Sequence, residues 1–359
     1  MIVKNLTFST MNSGDWPPPL GEAMPRREVP PMPRAATDTL AGLMPTTRLG
    51  RLVTILADHY RVIGPVSTGA EVRFTTIASG EDLQTQYTNT VLSPVRLFRR
   101  PIEAYLGVSW PPPQTGSVSR PPERLAVIGM RPCDLAALNI LDRTVGRASG
   151  GQPSAGVPAY VARRQGSFIA VFNCPIPCEA GFCASMGTGP GATEGYDLAL
   201  TETEDGYVVQ AGTSAGRDVM HQLQIEPATA DDLTAREYVL ERTAFQLRER
   251  LDLADLPSIL ESESNHPFWQ QLESRCIDCG TCTMACPTYL GDSAQTEGLE
   301  PPARNHVSRI KQRLYEKLDR FAQAHGLPAC VGCGRCVRWC PAGIDVTEVV
   351  AALRMEHDI

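Results

Sequence analysis

Twelve cysteines occur in 359 residues, and most of them fall into two runs of identical spacing. Cys276, Cys279, Cys282 and Cys286 lie in CIDCGTCTMACP, and Cys330, Cys333, Cys336 and Cys340 lie in CVGCGRCVRWCP, so C-x2-C-x2-C-x3-C-P appears twice. Neighbouring C-x-x-C thiols make poor structural disulfides, because the bridge wants Cα atoms about 5.5 Å apart and a long closed loop. A structural zinc ion takes four ligands, commonly as two separated pairs, and would leave thiols of these runs spare. The spacing is that of bacterial ferredoxin runs, in which three thiolates wrap one 4Fe-4S cluster and the fourth ligates the other. The expected sets are therefore crossed: Cys276, Cys279, Cys282 and Cys340 for one cluster, and Cys330, Cys333, Cys336 and Cys286 for the second. Gly280 and Gly334 suit this chemistry, since a residue without Cβ lets the backbone curl until amide N–H groups point at sulfide.

The other four thiols are Cys133 in GMRPCDLAAL and Cys174, Cys178 and Cys183 in NCPIPCEAGFCASMGTGP. Both segments follow an apolar strand-like run, so these thiols belong to loops at strand ends, where folds usually carry chemistry. They can be buried core cysteines, zinc ligands or a third iron-sulfur site. The count of four favours the third cluster, without deciding between 2Fe-2S and 4Fe-4S. Asp134 is an alternative oxygen ligand should Cys178 face away.

These thiols need a scaffold, and the pattern of apolar residues predicts an α+β chain: a mixed α/β domain followed by a helical dicluster ferredoxin domain. Residues 1–45, with WPPPL and VPPMPR, are too proline-rich for regular structure and read as an arm. The α/β domain is expected over 46–226. Leu49, Leu52, Ile55 and Leu56 recur at helical spacing, EVRFTTIAS alternates, and LAVIGM and FIAVFN read as buried strands with the helical DLAALNILDRTVG after the first. Asp-Gly between the alternating runs of YDLALTETEDGYVVQAG marks a hairpin. The helical domain is expected over 227–359. It starts near Thr229 with Leu233, Val239 or Leu240, Phe245, Leu247 and Leu251 as an apolar stripe. Further helices start at Pro257 and Pro267, and one over HVSRIKQRLYEKLDRFAQAHG separates the cysteine runs and ends on Gly326.

With 42% hydrophobic residues the chain can bury a core of about two domains. A net charge of -7 and the lack of any like-charge block disfavour nucleic acid and anionic membranes. The longest apolar runs are strand-sized, far short of the roughly 18 residues needed to span a bilayer. MIVKNLTFSTMNSGD lacks the layout of a secretory signal, and ferredoxin-type thiols belong in a reducing compartment, so a cytoplasmic location is expected. No G-x-G-x-x-G follows a strand and no phosphate-binding lysine loop is present; GTGPGATEG has neither the spacing nor the position of a dinucleotide fingerprint. Nothing indicates catalysis within this chain.

Taken together, YRVIGPV, MRPCDLAALNILD, AYVARRQ before FNC, FCASMGTGP with YDLALTE, and RNHVSRIKQRLYEKLDRF between the ferredoxin runs resemble the beta subunit of cytosolic nickel-iron hydrogenases of the sulfhydrogenase type. Anaerobic sulfite reductase has a component of the same family. The resemblance covers about residues 46–359. It implies an electron relay between a flavin subunit handling NAD(P)H and the small and large subunits of a nickel-iron hydrogenase. Where that family carries Cys-Phe-Cys before SMGTGP, this chain has Gly181-Phe182-Cys183 and an extra Cys178 upstream. The same clusters could instead feed a sulfite, sulfur or polysulfide reductase, and a zinc-stabilised scaffold is the reading without redox chemistry. Arg335 and Arg338 flank one set of ligands while Asp278 lies within the other run. If their charge acts on the cluster rather than on a docking face, the Cys330, Cys333 and Cys336 cluster should have the higher potential.

Overall fold

The computed structural model describes residues 40–69, 71–98, 123–145, 157–247, 251–263, 266–289 and 306–357. The arm expected at the N-terminus lies outside them except for its last residues, which form strand β1, Ala41–Met44. The described residues build one eight-stranded sheet in the order β3-β2-β4-β5-β6-β7-β1-β8. Its centre is parallel: β2 (Arg61–Ser67), β4 (Leu125–Met130), β5 (Phe168–Phe172) and β6 (Leu198–Thr203) run side by side in one direction. Antiparallel strands finish both edges, β3 (Val72–Thr76) on β2, and then β7 (Gly206–Ala211), β1 and β8 (Glu226–Pro227) beyond β6.

The central strands read as unbroken apolar runs because both faces of the sheet are covered. Along β5, Phe168, Ala170 and Phe172 enter one core with Leu52, Val53 and Leu56 of α1 (Leu49–Ala57) and with Val219, Met220 and Leu223 of α4 (Ser214–Leu223). Ile169 and Val171 enter the opposite core with Leu135, Leu138 and Leu141 of α2 (Pro132–Val145) and Tyr160 of α3 (Val157–Gln165). That alternation is the period of a strand between two layers.

Helix α5, Ala230–Gln246, starts where Thr229 and Asp232 cap one another: Asp232 N–H donates to the Thr229 hydroxyl at 3.2 Å, and Thr229 N–H to the Asp232 carboxylate at 2.7 Å. Its buried stripe is Arg236, Val239, Leu240, Thr243 and Ala244. Leu233 and Phe245, expected on that stripe, are 39% and 64% exposed, because the helix lies against β6 and β7 on its other face. Leu247 and Leu251 are buried beyond the helix end.

The remaining elements form the helical part: α6 (Leu256–Ser262), α7 (Phe268–Arg275), α8 (Thr281–Met284), α9 (His306–Tyr315), α10 (Phe321–His325), α11 (Arg335–Arg338) and α12 (Val346–His357). Pro257 and Pro267 stand at the starts of α6 and α7. The single helix expected between the cysteine runs is divided: a π-turn, Glu316–Arg320, joins α9 to α10, which ends at Gly326 in the left-handed region. Wide turns of this kind are frequent at functional sites, and this one carries Lys317. The helical core gathers Leu256, Ile259, Leu260, Trp269, Leu272, Leu314, Leu318, Val349 and Leu353 with Phe182 and, partly buried, Met186 from the other part of the chain.

Candidate metal centre

The two ferredoxin runs fold alike. Gly280 and Gly334 have φ of 71° and 70°, each just before a short helix, and each accepts two turn-closing amides three and four residues on, from Thr283 and Met284 and from Val337 and Arg338. All eight of their cysteines line one chamber of about 160 Å3, whose other walls carry apolar side chains such as Ile310, Leu314, Val331, Ile344 and Val349 together with the cations Arg313 and Lys317. Among the described residues no three His, Cys, Asp or Glu side chains converge closely enough to hold a single metal ion. The thiols surround a space rather than a point, and a cuboidal cluster needs that, since each thiolate takes its own iron.

Cys286 of the first run sits within electrostatic reach of Cys330, Cys333 and Cys336 of the second. At the other end, Arg275, next to Cys276, donates to the carbonyls of Ala342 and Gly343 at 3.3 and 2.9 Å, which draws Cys340 toward the first run. The Ile344 N–H points at Cys340 Sγ, 3.3 Å away. Burial pushes Cys330 up to about 11 and also raises Cys333 and Cys336. Burial acts the same way on Cys286, but Lys317 and Arg313, with hydrogen bonding to Thr288, overcome it and hold that thiol at about 6. Lys317 Nζ donates to Thr288 Oγ1 at 2.8 Å, and Arg313 to Thr283 Oγ1 at 3.2 Å. Cys279 is exposed, and its thiol is lowered by hydrogen bonding with Thr281.

Cys133 and Cys174 follow the carboxyl ends of the adjacent parallel strands β4 and β5, the edge at which open α/β sheets place ligands. The loop after β5 is clipped at its neck, with Cys174 N–H donating to Pro190 O at 3.0 Å and Ala192 N–H to Asn173 Oδ1 at 2.9 Å. Cys178 and Cys183 on this loop lie within electrostatic reach of Cys174, and Cys133 within reach of Cys183. Burial raises all four, Cys178 to about 12. Cys333 of the second ferredoxin run is a neighbour of Cys133, Cys178 and Cys183, so the two groups of thiols abut.

The junction between them is interlocked. Phe182, 1% exposed, plugs the helical core, and its N–H donates to Gly332 O at 2.8 Å. Thr188 donates to Val331 O at 2.7 Å. Gly334 runs so close to the loop that a Cβ there would lie 2.0 Å from Ala180 O. Arg335, expected from the sequence to supply either a shift in potential or a docking charge, is 0% exposed and forks onto Asp134 at 2.8 and 3.0 Å, with its Nε donating to Thr90 O at 2.6 Å. Ser93 also donates to Asp134, at 2.6 Å. Arg335 is therefore no docking residue, its charge is cancelled, and Asp134 is engaged by protein donors rather than free to serve as an oxygen ligand. Arg338 is half exposed and meets Glu179 at 2.8 Å.

Residues 273–344 match the 4Fe-4S dicluster domain family. The C-terminal part is a 4Fe-4S dicluster domain. Over 328 residues the chain is 29% identical to sulfhydrogenase 2 subunit beta of Pyrococcus furiosus, covering 83% of this chain and 94% of that protein. It resembles that beta subunit along most of its length. Shorter similarities are 27% identity over 97 residues with the succinate dehydrogenase iron-sulfur subunit of Bacillus subtilis, covering 25% of this chain and 37% of that protein, and 26% over 108 residues with the H(2)/formate:CoB-CoM heterodisulfide,ferredoxin reductase subunit C2 of Methanococcus maripaludis, covering 30% and 53%. No described helix is long and apolar enough to cross a membrane.

Three basic residues near the dicluster and N-terminal thiols do not stand out in the sequence as site residues. Arg313 and Lys317 stand four residues apart in RLYEK with Glu316 between them, so the stretch reads as an ordinary charged helix face. Arg131 gave no local sign.

Proposed function

We propose that this chain is the electron-transfer iron-sulfur subunit of a soluble nickel-iron hydrogenase, relaying electrons between a flavin subunit that handles NAD(P)H and the hydrogenase small and large subunits in the cytoplasm. The observation that carries the reading is the single chamber into which both ferredoxin runs turn their thiols, in a chain similar to a sulfhydrogenase beta subunit over most of its length. The donor set fits: Cys276, Cys279, Cys282 and Cys340 would hold one 4Fe-4S cluster, and Cys330, Cys333, Cys336 and Cys286 the second. The proximity of Cys286 to the second run supports the crossed sets. When bound, the clusters supply one-electron redox chemistry.

Cys133, Cys174, Cys178 and Cys183 would hold a third iron-sulfur cluster; their mutual proximity and the abutting Cys333 support this. The relay then runs from the exposed rim around Cys279, through the set containing Cys286 and Cys333, to the sheet edge. Around that rim Ile277 and Met284 are 66% and 55% exposed and offer an apolar footing for a partner. The protein's own residues hold Cys286 as thiolate through Arg313 and Lys317 and lock the two thiol groups together through Phe182 and Arg335.

Purifying the native complex anaerobically and identifying its subunits tests the reading. A co-purifying nickel-iron large subunit is expected; a sirohaem protein in its place refutes it. Loss of iron and of the absorbance near 400 nm in Cys183→Ala, relative to the parent chain, is expected for the third site.

A further inference from the structure

Two arginines are buried beside the N-terminal thiols, and they differ in what neutralises them. Arg335 is paired with Asp134. Arg131, 2% exposed, has no such partner. Its guanidinium lies 4.1 Å over the Tyr87 ring and donates only to backbone carbonyls: Phe172 and Asn173 at 3.3 Å, Thr85 at 3.2 Å, and Tyr87. Its Nε has no hydrogen-bond partner, and among the described residues no carboxylate forms an ion pair with it. Asp134, one turn away, has both oxygens occupied by Arg335. A cation taken out of water and left with dipoles alone is costly, and such charges are normally balanced by an anion.

The ionisable groups around Arg131 include the hydroxyls of Tyr87 and Tyr207 and the thiols of Cys174, Cys178 and Cys133, and Arg131 donates to the carbonyl of Asn173, the residue before Cys174. Tyr87 is itself committed, donating to Gly129 O. Neutral thiols would leave Arg131 unbalanced, whereas thiolates carried on an iron-sulfur cluster would balance it. We propose that Arg131 is the counter-cation of the third iron-sulfur site and raises its reduction potential. The inference rests on the third-site reading above. One electron entering the site adds one negative charge without breaking a bond, and a fixed cation in a water-poor setting favours that reduced state. Arg335 has no comparable effect, because its charge is cancelled by Asp134. Arg131 is thus a positioning residue that acts through the thiolates.

The test is a spectroscopic redox titration of the full-length chain, loaded with iron and sulfide without oxygen. The signal lost in Cys183→Ala identifies the third site; if that variant loses no iron, the third-site reading fails whatever Arg131 does. With the site identified, Arg131→Gln is expected to lower its midpoint potential while Arg131→Lys keeps the parent value. Loading in Arg131→Lys but not in Arg131→Gln also supports the proposal, since charge is then the requirement. An unchanged or raised potential in a fully loaded Arg131→Gln chain overturns it, and so does failure of both variants to load, which would make the side chain's shape decisive.

Discussion

Removing one partner of the Asp134–Arg335 pair should destabilise the protein far more than removing both. The guanidinium and carboxylate are joined by two hydrogen bonds of 2.8 and 3.0 Å, and their side chains are 0% and 1% exposed. At an effective dielectric constant near 20 their attraction is about 4 kcal/mol, comparable with the several kcal/mol needed to desolvate the two ions, so the pair contributes little net stability. Asp134→Ala instead strands Arg335 among Thr90 O and the thiols, and breaking a buried pair in this way costs about 3–5 kcal/mol. Over the compact unit Met32–Ile359, an unfolding entropy of about 2.1 cal/mol/K per residue sums to roughly 0.7 kcal/mol/K, so Tm should fall by about 4–7 °C. The assay is anaerobic thermal unfolding at matched iron content for Asp134→Ala, Arg335→Met and the double variant. The double variant should melt above either single one. A single variant within about 1 °C of the parent, or a double variant at least as unstable as the sum of the singles, would refute a buried and mutually compensating pair.

Cys282→Ala should lose the iron of one cluster and loosen the helices around the chamber, because cluster binding is folding energy there; anaerobic iron analysis with circular dichroism measures both, and full iron content would contradict it. Gly334→Ala puts a Cβ 2.0 Å from Ala180 O at a φ of 70°, so the loop bearing Cys178 and Cys183 must move; faster proteolytic cleavage of that loop is expected, with parent-like resistance the contrary result. In the iron-free chain Cys286 should be thiolate above about pH 6 and protonated below it, so its alkylation rate, followed by mass spectrometry, should rise through that pH. Lys317→Ala should move this midpoint upward, and a midpoint near the ordinary thiol value of about 8.5 in the parent would remove the proposed role of Lys317 and Arg313.

What was legible in the sequence was local. The cysteine spacing, the glycines at 280 and 334, the Asp-Gly turn between β6 and β7 and the helix start near Thr229 each depend on residues within a few positions of one another, so the chain itself encodes their geometry. The unbroken apolar runs LAVIGM and FIAVF likewise marked strands covered on both faces. β1 and β8 were missed because AGLM and EP are too short to carry a period, and they gain their hydrogen bonds only from β7 and from each other. Leu233 and Phe245 misled because helical spacing says which residues share a face, not which face meets the sheet. The fate of the charges was decided by tertiary structure alone. Arg335 looked like a surface or redox charge until its partner, Asp134, 201 positions away, was brought to it, while Arg131 looked ordinary until folding buried it beside thiols with no carboxylate to spare. Desolvation and pairing depend on what the whole fold removes from water, and no short stretch of sequence contains that information.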